Sequence, residues 1–203
     1  ENHCIKQIAT MPRLHLLLTA CLIGLFGCQT HNANYNSRLA HHSPSGFSNN
    51  YPGREPDMHD FFRWQWNRLL KPKPEHRADL VSWQAVNLNQ IHSTQGRSAT
   101  WLGHASVLIK SDGIHVLTDP IFSERASPVS WLGPKRIKPL PVDPANLPRI
   151  DAVVISHNHY DHLDLPSLKR LNSQAGGPPL FVVPLGNAEL LKRQGISNVK
   201  ALD

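Results

Sequence analysis

The spacing of apolar and polar residues divides the second half of the chain into short strands and helices. Residues 99–120 (ATWLGHASVLIKSDGIHVLTDP) predict a strand, a turn at SDG and a second strand, with Gly113 supplying the turn. Residues 150–156 (IDAVVIS) are almost all apolar, which is typical of a strand covered on both faces. The later pattern predicts helices over 164–172 and 187–195, and strands over 180–184 and 198–203. Strands that alternate with helices indicate a layered α/β domain.

An earlier segment, residues 58–76 (MHDFFRWQWNRLLKPKPEH), has the spacing of an amphipathic helix that ends at Pro72 and Pro74. We interpret its aromatic residues as core, with a lipid-facing lid as the alternative. Residue 58 is also the expected start of the folded domain, which then extends to residue 203.

The beginning of the chain is typical of a secretory leader. Arg13 precedes an apolar run from Leu14 to Phe26 that is too short to span a membrane, so residues 11–27 predict a signal peptide. The letters LFGC resemble the bacterial lipoprotein processing box, which implies cleavage before Cys28 and lipidation of that cysteine. Gln29 is not the aspartate that often retains lipoproteins at the inner membrane. We therefore expect a lipid-anchored protein of the bacterial cell envelope, at the outer rather than the inner membrane.

The segment between this leader and the domain, residues 28–57, is rich in Asn, Ser, Pro and His and predicts a tether.

The full chain of 203 residues has a formal net charge of +6. This balance favours anionic partners such as a phospholipid surface, but no Lys/Arg run is long enough to predict nucleic-acid binding. The densest basic patch, GPKRIK (133–138), is interpreted as a solvated loop unless it borders a site.

Histidine and aspartate crowd the end of the strand predicted at 150–156. In HNHYDH, His157 and His159 are two apart, so an extended backbone directs both to the same side, and the loop then brings Asp161 and His162 nearby. Imidazoles and carboxylates are good Zn²⁺ ligands. One tetrahedral ion does not readily take four ligands from so short a loop. Two metals about 3.5–4 Å apart, each taking one pair, fit the crowding better.

Two further residues are candidates for supporting this cluster. Asp119, at the end of a predicted strand, is either a second-layer acceptor for the N–H of a ligating imidazole or a turn carboxylate beside Pro120. His104, in LGHAS, either faces the same cavity or is a satisfied core histidine.

The cluster SHNHYDHLD carries the H-x-H-x-D-H motif and resembles the metallo-β-lactamase superfamily. Its surroundings resemble one family within it, the N-acyl-phosphatidylethanolamine-hydrolysing phospholipase D family, over about residues 80 to 203. The segments that carry this resemblance are WLGHASVLI (101–109), LTDPIFSERASP (117–128), GPKRIK (133–138) and VPLGN (183–187). The resemblance implies a four-layer αββα sandwich, of which residues 58–203 are the N-terminal half only.

The same resemblance implies a site with two zinc ions. His157 and His159 then bind one ion, Asp161 and His162 bind the other, and Tyr160 lines the substrate site. The family's further ligands are a histidine, a bridging aspartate and a last histidine, which we expect beyond residue 203. We accordingly expect these 203 residues alone to be poorly soluble and inactive.

Together these features predict a zinc-dependent phosphodiesterase of the phospholipase D type, acting on an N-acyl-phosphatidylethanolamine or a similar lipid. Zinc lowers the pKa of a water molecule to near neutrality, and Asp161 binds metal and orients the nucleophile. Two alternatives stay open. One is a lactone or ester hydrolase of the same fold, and the other is a non-catalytic envelope lipoprotein.

Overall fold

The computed structural model describes residues 31–51, 53, 57–71, 78–93 and 95–203. The predicted signal peptide at 11–27 and the predicted lipidation site Cys28 lie outside the described residues. The chain divides into two compact units, Glu1–Trp64 and Gln65–Asp203.

A small hairpin lies in the segment predicted as a tether. Strands β1 (His42–Ser43) and β2 (Gly46–Phe47) pair antiparallel. The side-chain amide of Asn32 donates to the carbonyls of Ser43 and Gly46 at 3.1 and 2.9 Å, which fixes the turn between the strands. The described part of this segment therefore has local structure of its own.

The predicted amphipathic helix is present as α1 (Met58–Leu70), which ends before Pro72. None of its residues is buried, so the interpretation of its aromatics as core is wrong. The helix has the predicted amphipathic spacing, but its apolar side chains are exposed in the described structure. The exposed apolar residues are Met58, Phe61, Phe62, Trp64, Trp66, Leu69 and Leu70. Among the described residues, no helix has the length and apolar character that crossing a membrane requires.

The second unit is built on one six-stranded sheet in which the strands are neighbours in chain order. Its strands are β3 (Ser98–Gly103), β4 (Ser106–Ser111), β5 (Ile114–Thr118), β6 (Ala152–Val154), β7 (Leu180–Pro184) and β8 (Val199–Leu202). The first three pair antiparallel, and β5 to β8 pair parallel. The helices of this unit are α2 (Leu88–Ser93), α3 (Leu165–Asn172) and α4 (Ala188–Arg193), with short 3₁₀ turns at Ala78–Leu80 and Pro144–Asn146.

Residues 99–120 form three strands and not the predicted two. The additional turn lies between β3 and β4, where Gly103 has φ +107° and His104 has φ +48°. Glycine adopts this left-handed backbone freely, whereas a histidine there needs support from its surroundings. The turn places His104 at the edge of the sheet instead of inside a strand.

The core lies on one face of this sheet. Leu108, Leu117, Val153 and Phe181 are side by side in register and fully or almost fully buried. Leu168 and Leu171 of α3 and Leu191 of α4 belong to the same apolar cluster, so these helices cover that face. Burial of such side chains is the main favourable contribution to the stability of this unit.

The opposite face of the sheet is apolar but exposed in the described part of the chain. Trp101, Ile109, Val154, Leu180 and Leu202 are all more than a third exposed there. The prediction that the strand at 150–156 is covered on both faces is therefore not met by the described residues. One helix layer and one sheet with a bare apolar face are what the resemblance implies for half of a four-layer αββα sandwich.

Candidate metal centre

The candidate ligands lie at one edge of the sheet because of the strand directions. β3, β5 and β6 run in the same direction, so their carboxyl ends meet at this edge. His104 follows β3, Asp119 follows β5, and residues 155–163 follow β6. The carboxyl ends of strands are the usual place for ligand sites in α/β sheets.

The histidines predicted to share one metal lie close together. Nε2 of His157 is 3.1 Å from Nδ1 of His159, and their ring centroids are 4.6 Å apart. His157 is partly buried, whereas His159 is exposed.

The second predicted pair is also brought together. The backbone N–H groups of His162 and Leu163 donate to the carbonyl of His159 at 3.0 and 2.8 Å, which closes a tight turn. This turn places Nε2 of His162 3.4 Å from Oδ2 of Asp161. The His157 and His162 ring centroids are 4.0 Å apart, so the two pairs are neighbours.

His104 joins the second pair. Its Nε2 lies 2.9 Å from Oδ2 of Asp161, and ligand atoms of His104, Asp161 and His162 all lie within 4.8 Å of one another. Its side chain is 49% exposed and lines the cavity described below, so of the two interpretations of His104 the structure agrees with the cavity-facing residue and contradicts the core histidine. The apolar pattern of residues 99–120 did not indicate the turn between β3 and β4, which places His104 at the edge of the sheet.

Asp119 lies beneath the cluster and is buried. Its Oδ2 is 3.0 Å from Nδ1 of His162, and its two carboxylate oxygens accept from the backbone N–H and the hydroxyl of Ser156. This is the arrangement in which a second-layer carboxylate orients a ligating imidazole. Asp119 has φ +37°, so the same residue also makes the sharp turn that follows β5.

The electrostatics of the cluster favour a charged carboxylate at Asp161. Partial burial acts to raise the pKa of this carboxyl. The hydrogen bond from its own backbone N–H, the bond to His104 and the charges of His162 and His104 outweigh burial, so the pKa is lowered. A carboxylate that stays ionised is ready to act as a metal ligand.

The donor set fits a divalent metal such as zinc. Bonds of about 2.0–2.2 Å in a tetrahedral shell place two ligand atoms about 3.3–3.5 Å apart. The separations within the two pairs, 3.1 Å for His157–His159 and 3.4 Å for Asp161–His162, are close to that range. Imidazole nitrogen and carboxylate oxygen are the ligand types that zinc and iron sites share.

A cavity of about 1230 Å³ opens beside this cluster. His104, His159, Tyr160 and Asp161 line it on the side of the cluster. The rest of its wall is partly apolar, with Trp83, Val86, Trp101, Ile121 and Ile137, and partly basic, with Lys135, Arg136 and Lys138. The GPKRIK patch therefore borders the site, which is the exception made when it was interpreted as a solvated loop. Trp83 was not singled out from the sequence. Its indole N–H donates to the carbonyl of Pro139 at 2.9 Å, and both residues line the cavity.

Family comparison agrees with the position of the site. A model described as a beta-lactamase superfamily domain matches residues 115–202, a range that contains every candidate ligand except His104.

Three curated relatives illustrate the similarity. A protein of Caenorhabditis elegans named N-acyl-phosphatidylethanolamine-hydrolyzing phospholipase D 1 is 44% identical over 112 residues, which is 55% of this chain and 31% of that protein. The mitochondrial protein of the same name in Saccharomyces cerevisiae is 39% identical over 51% of this chain and 21% of its own length. A protein of Pyrobaculum islandicum named as a metal-dependent hydrolase is 33% identical over 31% of this chain and 23% of that protein.

The chain thus spans less than a third of the length of these relatives. The matched part nevertheless contains β5 to β8 and the whole loop from His157 to His162. Over residues 115–202, the chain thus matches the beta-lactamase superfamily domain.

Proposed function

We propose that the protein is a zinc-dependent phosphodiesterase of the phospholipase D type, with N-acyl-phosphatidylethanolamine or a similar phospholipid as substrate. The observation that carries the proposal is the cavity, which Asp161 and His159 line together with a wall that is partly apolar and partly basic. Its composition suits an amphipathic anion. Similarity to two proteins named as phospholipases of this type supports the same substrate class.

Two basic residues of the wall, Arg136 and Lys138, differ in whether their charged groups already have partners within the protein. Nη2 of Arg136 donates to the carbonyls of Ile121 and Ser123 at 2.6 and 3.2 Å, so this guanidinium holds the loop in place. Burial lowers the pKa of Arg136. Lys138 is half-buried and has no hydrogen bond or ion pair within the described residues, so its ammonium is available to a substrate phosphate.

The apolar part of the wall suits the hydrocarbon of a lipid. Trp83 and Trp101 supply large, flat surfaces, and Ile121 and Ile137 extend them. Contact of acyl carbons with such side chains is favourable by about 25 cal/mol per Å² removed from water. Tyr160, which is 54% exposed, also lines the cavity, which supports a role in contacting the substrate.

His157, His159, Asp161 and His162 would hold the zinc ions, with His104 beside Asp161. When bound, zinc supplies Lewis acidity toward phosphoryl oxygens and lowers the pKa of water toward neutrality. The ionised carboxylate of Asp161 would accept a hydrogen bond from the nucleophile and so orient it toward the substrate. In the overall reaction, water adds to phosphorus and the bond from phosphorus to the ethanolamine oxygen breaks, which gives phosphatidic acid and an N-acylethanolamine.

We further infer that the protein works at a membrane. The exposed aromatic residues of α1 (Phe61, Phe62, Trp64 and Trp66) and the net charge of +6 support contact with an anionic lipid surface. Lipidation of Cys28 and an outer-membrane location complete this proposal.

The function is tested with the full-length protein loaded with zinc. We expect N-acyl-phosphatidylethanolamine in mixed micelles to be converted to phosphatidic acid, detected by mass spectrometry, and the His159→Ala variant to lose this activity. His92→Ala is the matched control, since His92 is an exposed histidine whose Nε2 contacts only the carbonyl of Asn146, at 3.3 Å. Hydrolysis of a lactone or carboxylic ester in preference to the phosphodiester would contradict the proposal in favour of the ester hydrolase.

A further inference from the structure

We propose that Ser156 is a positioning residue that fixes the tautomer of His157, so that Nε2 of this imidazole is the nitrogen free to bind metal. The proposal rests on the metal-dependent function given above and assigns a role to a residue that the H-x-H-x-D-H motif does not include.

The hydrogen bonds to Asp119 determine how the Ser156 hydroxyl is oriented. The backbone N–H of Ser156 donates to Oδ1 of Asp119 at 2.7 Å, and Oγ lies 2.7 Å from Oδ2. A carboxylate can only accept, so the hydroxyl uses its single hydrogen on Asp119. At a distance this short, the bond is of the strong, charge-assisted kind.

The lone pairs of the same hydroxyl oxygen face the imidazoles. Oγ of Ser156 is 3.0 Å from Nδ1 of His157 and 3.3 Å from Nδ1 of His162. Because the hydroxyl hydrogen already lies on Asp119, Oγ can only accept from these nitrogens. A neutral imidazole with Nδ1–H has a bare Nε2. Ser156 therefore selects the form of His157 in which Nε2 can act as a ligand.

The geometry on the other side of the ring agrees. Nε2 of His157 is directed toward Nδ1 of His159, at 3.1 Å, in the first of the two candidate ligand pairs. Nδ1 of His162 is held in the same way by Oδ2 of Asp119, at 3.0 Å, which leaves its Nε2 toward Asp161. Ser156 and Asp119 thus form one unit that presents two imidazoles by the same nitrogen.

The role can be separated from a simply structural one. In Ser156→Ala the backbone N–H still donates to Asp119, so the end of β6 keeps its tie to β5. What is lost is the hydroxyl, with its bond to Asp119, its contact with His157 and its longer contact with His162. Ser156→Thr restores a hydroxyl at the same place, and Ser111→Ala is a matched control, because Ser111 also donates to an aspartate, Asp112, at 3.1 Å on the exposed β4–β5 turn.

The experiment has two readouts on the full-length protein. Zinc affinity is measured by competition with a chelator, and the His157 tautomer by long-range ¹⁵N–¹H NMR correlation in the metal-free protein. We expect Ser156→Ala to weaken zinc binding about 10- to 100-fold, to mix the two tautomers of His157, and to leave the thermal midpoint of the metal-free protein near that of Ser111→Ala. Ser156→Thr restores both readouts.

An unchanged Nδ1–H tautomer and unchanged zinc affinity in Ser156→Ala would overturn the proposal, as would a threonine variant that behaves like alanine. A tautomer change in a protein without phosphodiesterase activity would overturn the proposed function alone, because the NMR readout does not depend on turnover.

Discussion

At the scale of single residues, Asp119 connects three parts of the site through one buried carboxylate. It accepts from the backbone and hydroxyl of Ser156 and faces Nδ1 of His162. With three polar neighbours on two oxygens, the carboxylate has little capacity for any other partner. Its charge and both oxygens are therefore needed at this position.

The substitution Asp119→Asn removes one of these acceptors, because an amide offers one oxygen and one NH₂ group. We expect zinc affinity to fall about 10- to 100-fold, as for other second-layer partners of ligating histidines. Chelator competition measures the change. Asp112→Asn is the control, since Asp112 also has a positive φ, +50°, but lies on an exposed turn away from the cluster. Equal affinities for the two variants would contradict the assigned role.

His104 allows a prediction about pH. The pKa of Asp161 is lowered in the folded protein, so metal binding by this carboxylate is available above its folded pKa and is lost as pH falls through that value. Removal of His104 takes away a hydrogen bond and a charge that lower the pKa, while partial burial still raises it. In His104→Ala we therefore expect the acid limb of metal binding to move to higher pH. Zinc occupancy measured against pH gives the position of this acid limb. An acid limb at the same pH in His104→Ala and the wild type would contradict the contact between His104 and Asp161.

The sequence was sufficient to find the cluster of His157, His159, Asp161 and His162, because spacing along an extended strand end and a short loop determines which side chains meet. It was not sufficient for His104 or Ser156. Their positions depend on a left-handed turn after Gly103 and on the contact of Ser156 with Asp119, and neither follows from local periodicity.

At the scale of elements, the start of α3 is fixed by a buried network. Asp164 is the N-cap residue, but its side chain makes no capping bond to the helix backbone. Its carboxylate instead accepts from the hydroxyls of Ser123 and Ser167 and from the backbone N–H of Ser123. This network ties the loop after β5 to α3, and Arg136 holds the same loop from the other side.

The substitution Asp164→Ala leaves these donors without their acceptor in a buried setting. We expect a loss of about 2–3 kcal/mol in the free energy of unfolding, since unsatisfied buried groups cost about 1–3 kcal/mol. Urea denaturation followed by circular dichroism measures it. Asp143→Ala is the control, because Asp143 caps the turn at Pro144–Asn146 with an exposed carboxylate, and we expect its loss to be clearly smaller. If Asp164→Ala lowered the free energy of unfolding by no more than Asp143→Ala does, the network would not stabilise α3.

Elements with a strong pattern were predicted within a few residues, as for α3, α4, β7 and β8. The misjudged elements each have a physical reason. Residues 99–120 contain a turn without the usual Asn-Gly or Asp-Gly pair, so the break between β3 and β4 was missed. The aromatic residues of α1 were taken as core because hydrophobicity alone does not say whether another element covers a helix.

At the scale of the whole molecule, the cavity joins segments that are far apart in sequence. The stretch that contains Trp83, the β3–β4 turn, the GPKRIK loop and the ligand loop all line it. No pattern within one segment predicts such an arrangement, although the basic patch was identified. The cavity is the place where the proposed lipid substrate would lie beside the metal cluster.

Lys138 tests this connection. We expect Lys138→Met to raise KM for a phosphodiester about tenfold with little change in kcat, since a charge-assisted hydrogen bond contributes about 1.5–3 kcal/mol. Lys138→Arg should keep a low KM, and hydrolysis of a neutral ester should not change. Lys169→Met, on an exposed position of α3, is the control. Steady-state kinetics that show the same KM for the Met variant and the wild type would contradict the role of Lys138.

The central claim is that the loop from His157 to His162 holds the metal on which phosphodiester hydrolysis depends. The most direct measurement is the zinc content of the purified full-length protein by elemental analysis, together with phosphodiester turnover, for the wild type, His159→Ala and His92→Ala. We expect two zinc ions per chain and full turnover for the wild type and His92→Ala, with loss of zinc and turnover in His159→Ala. Wild-type protein without stoichiometric metal, or full turnover in His159→Ala, would contradict it.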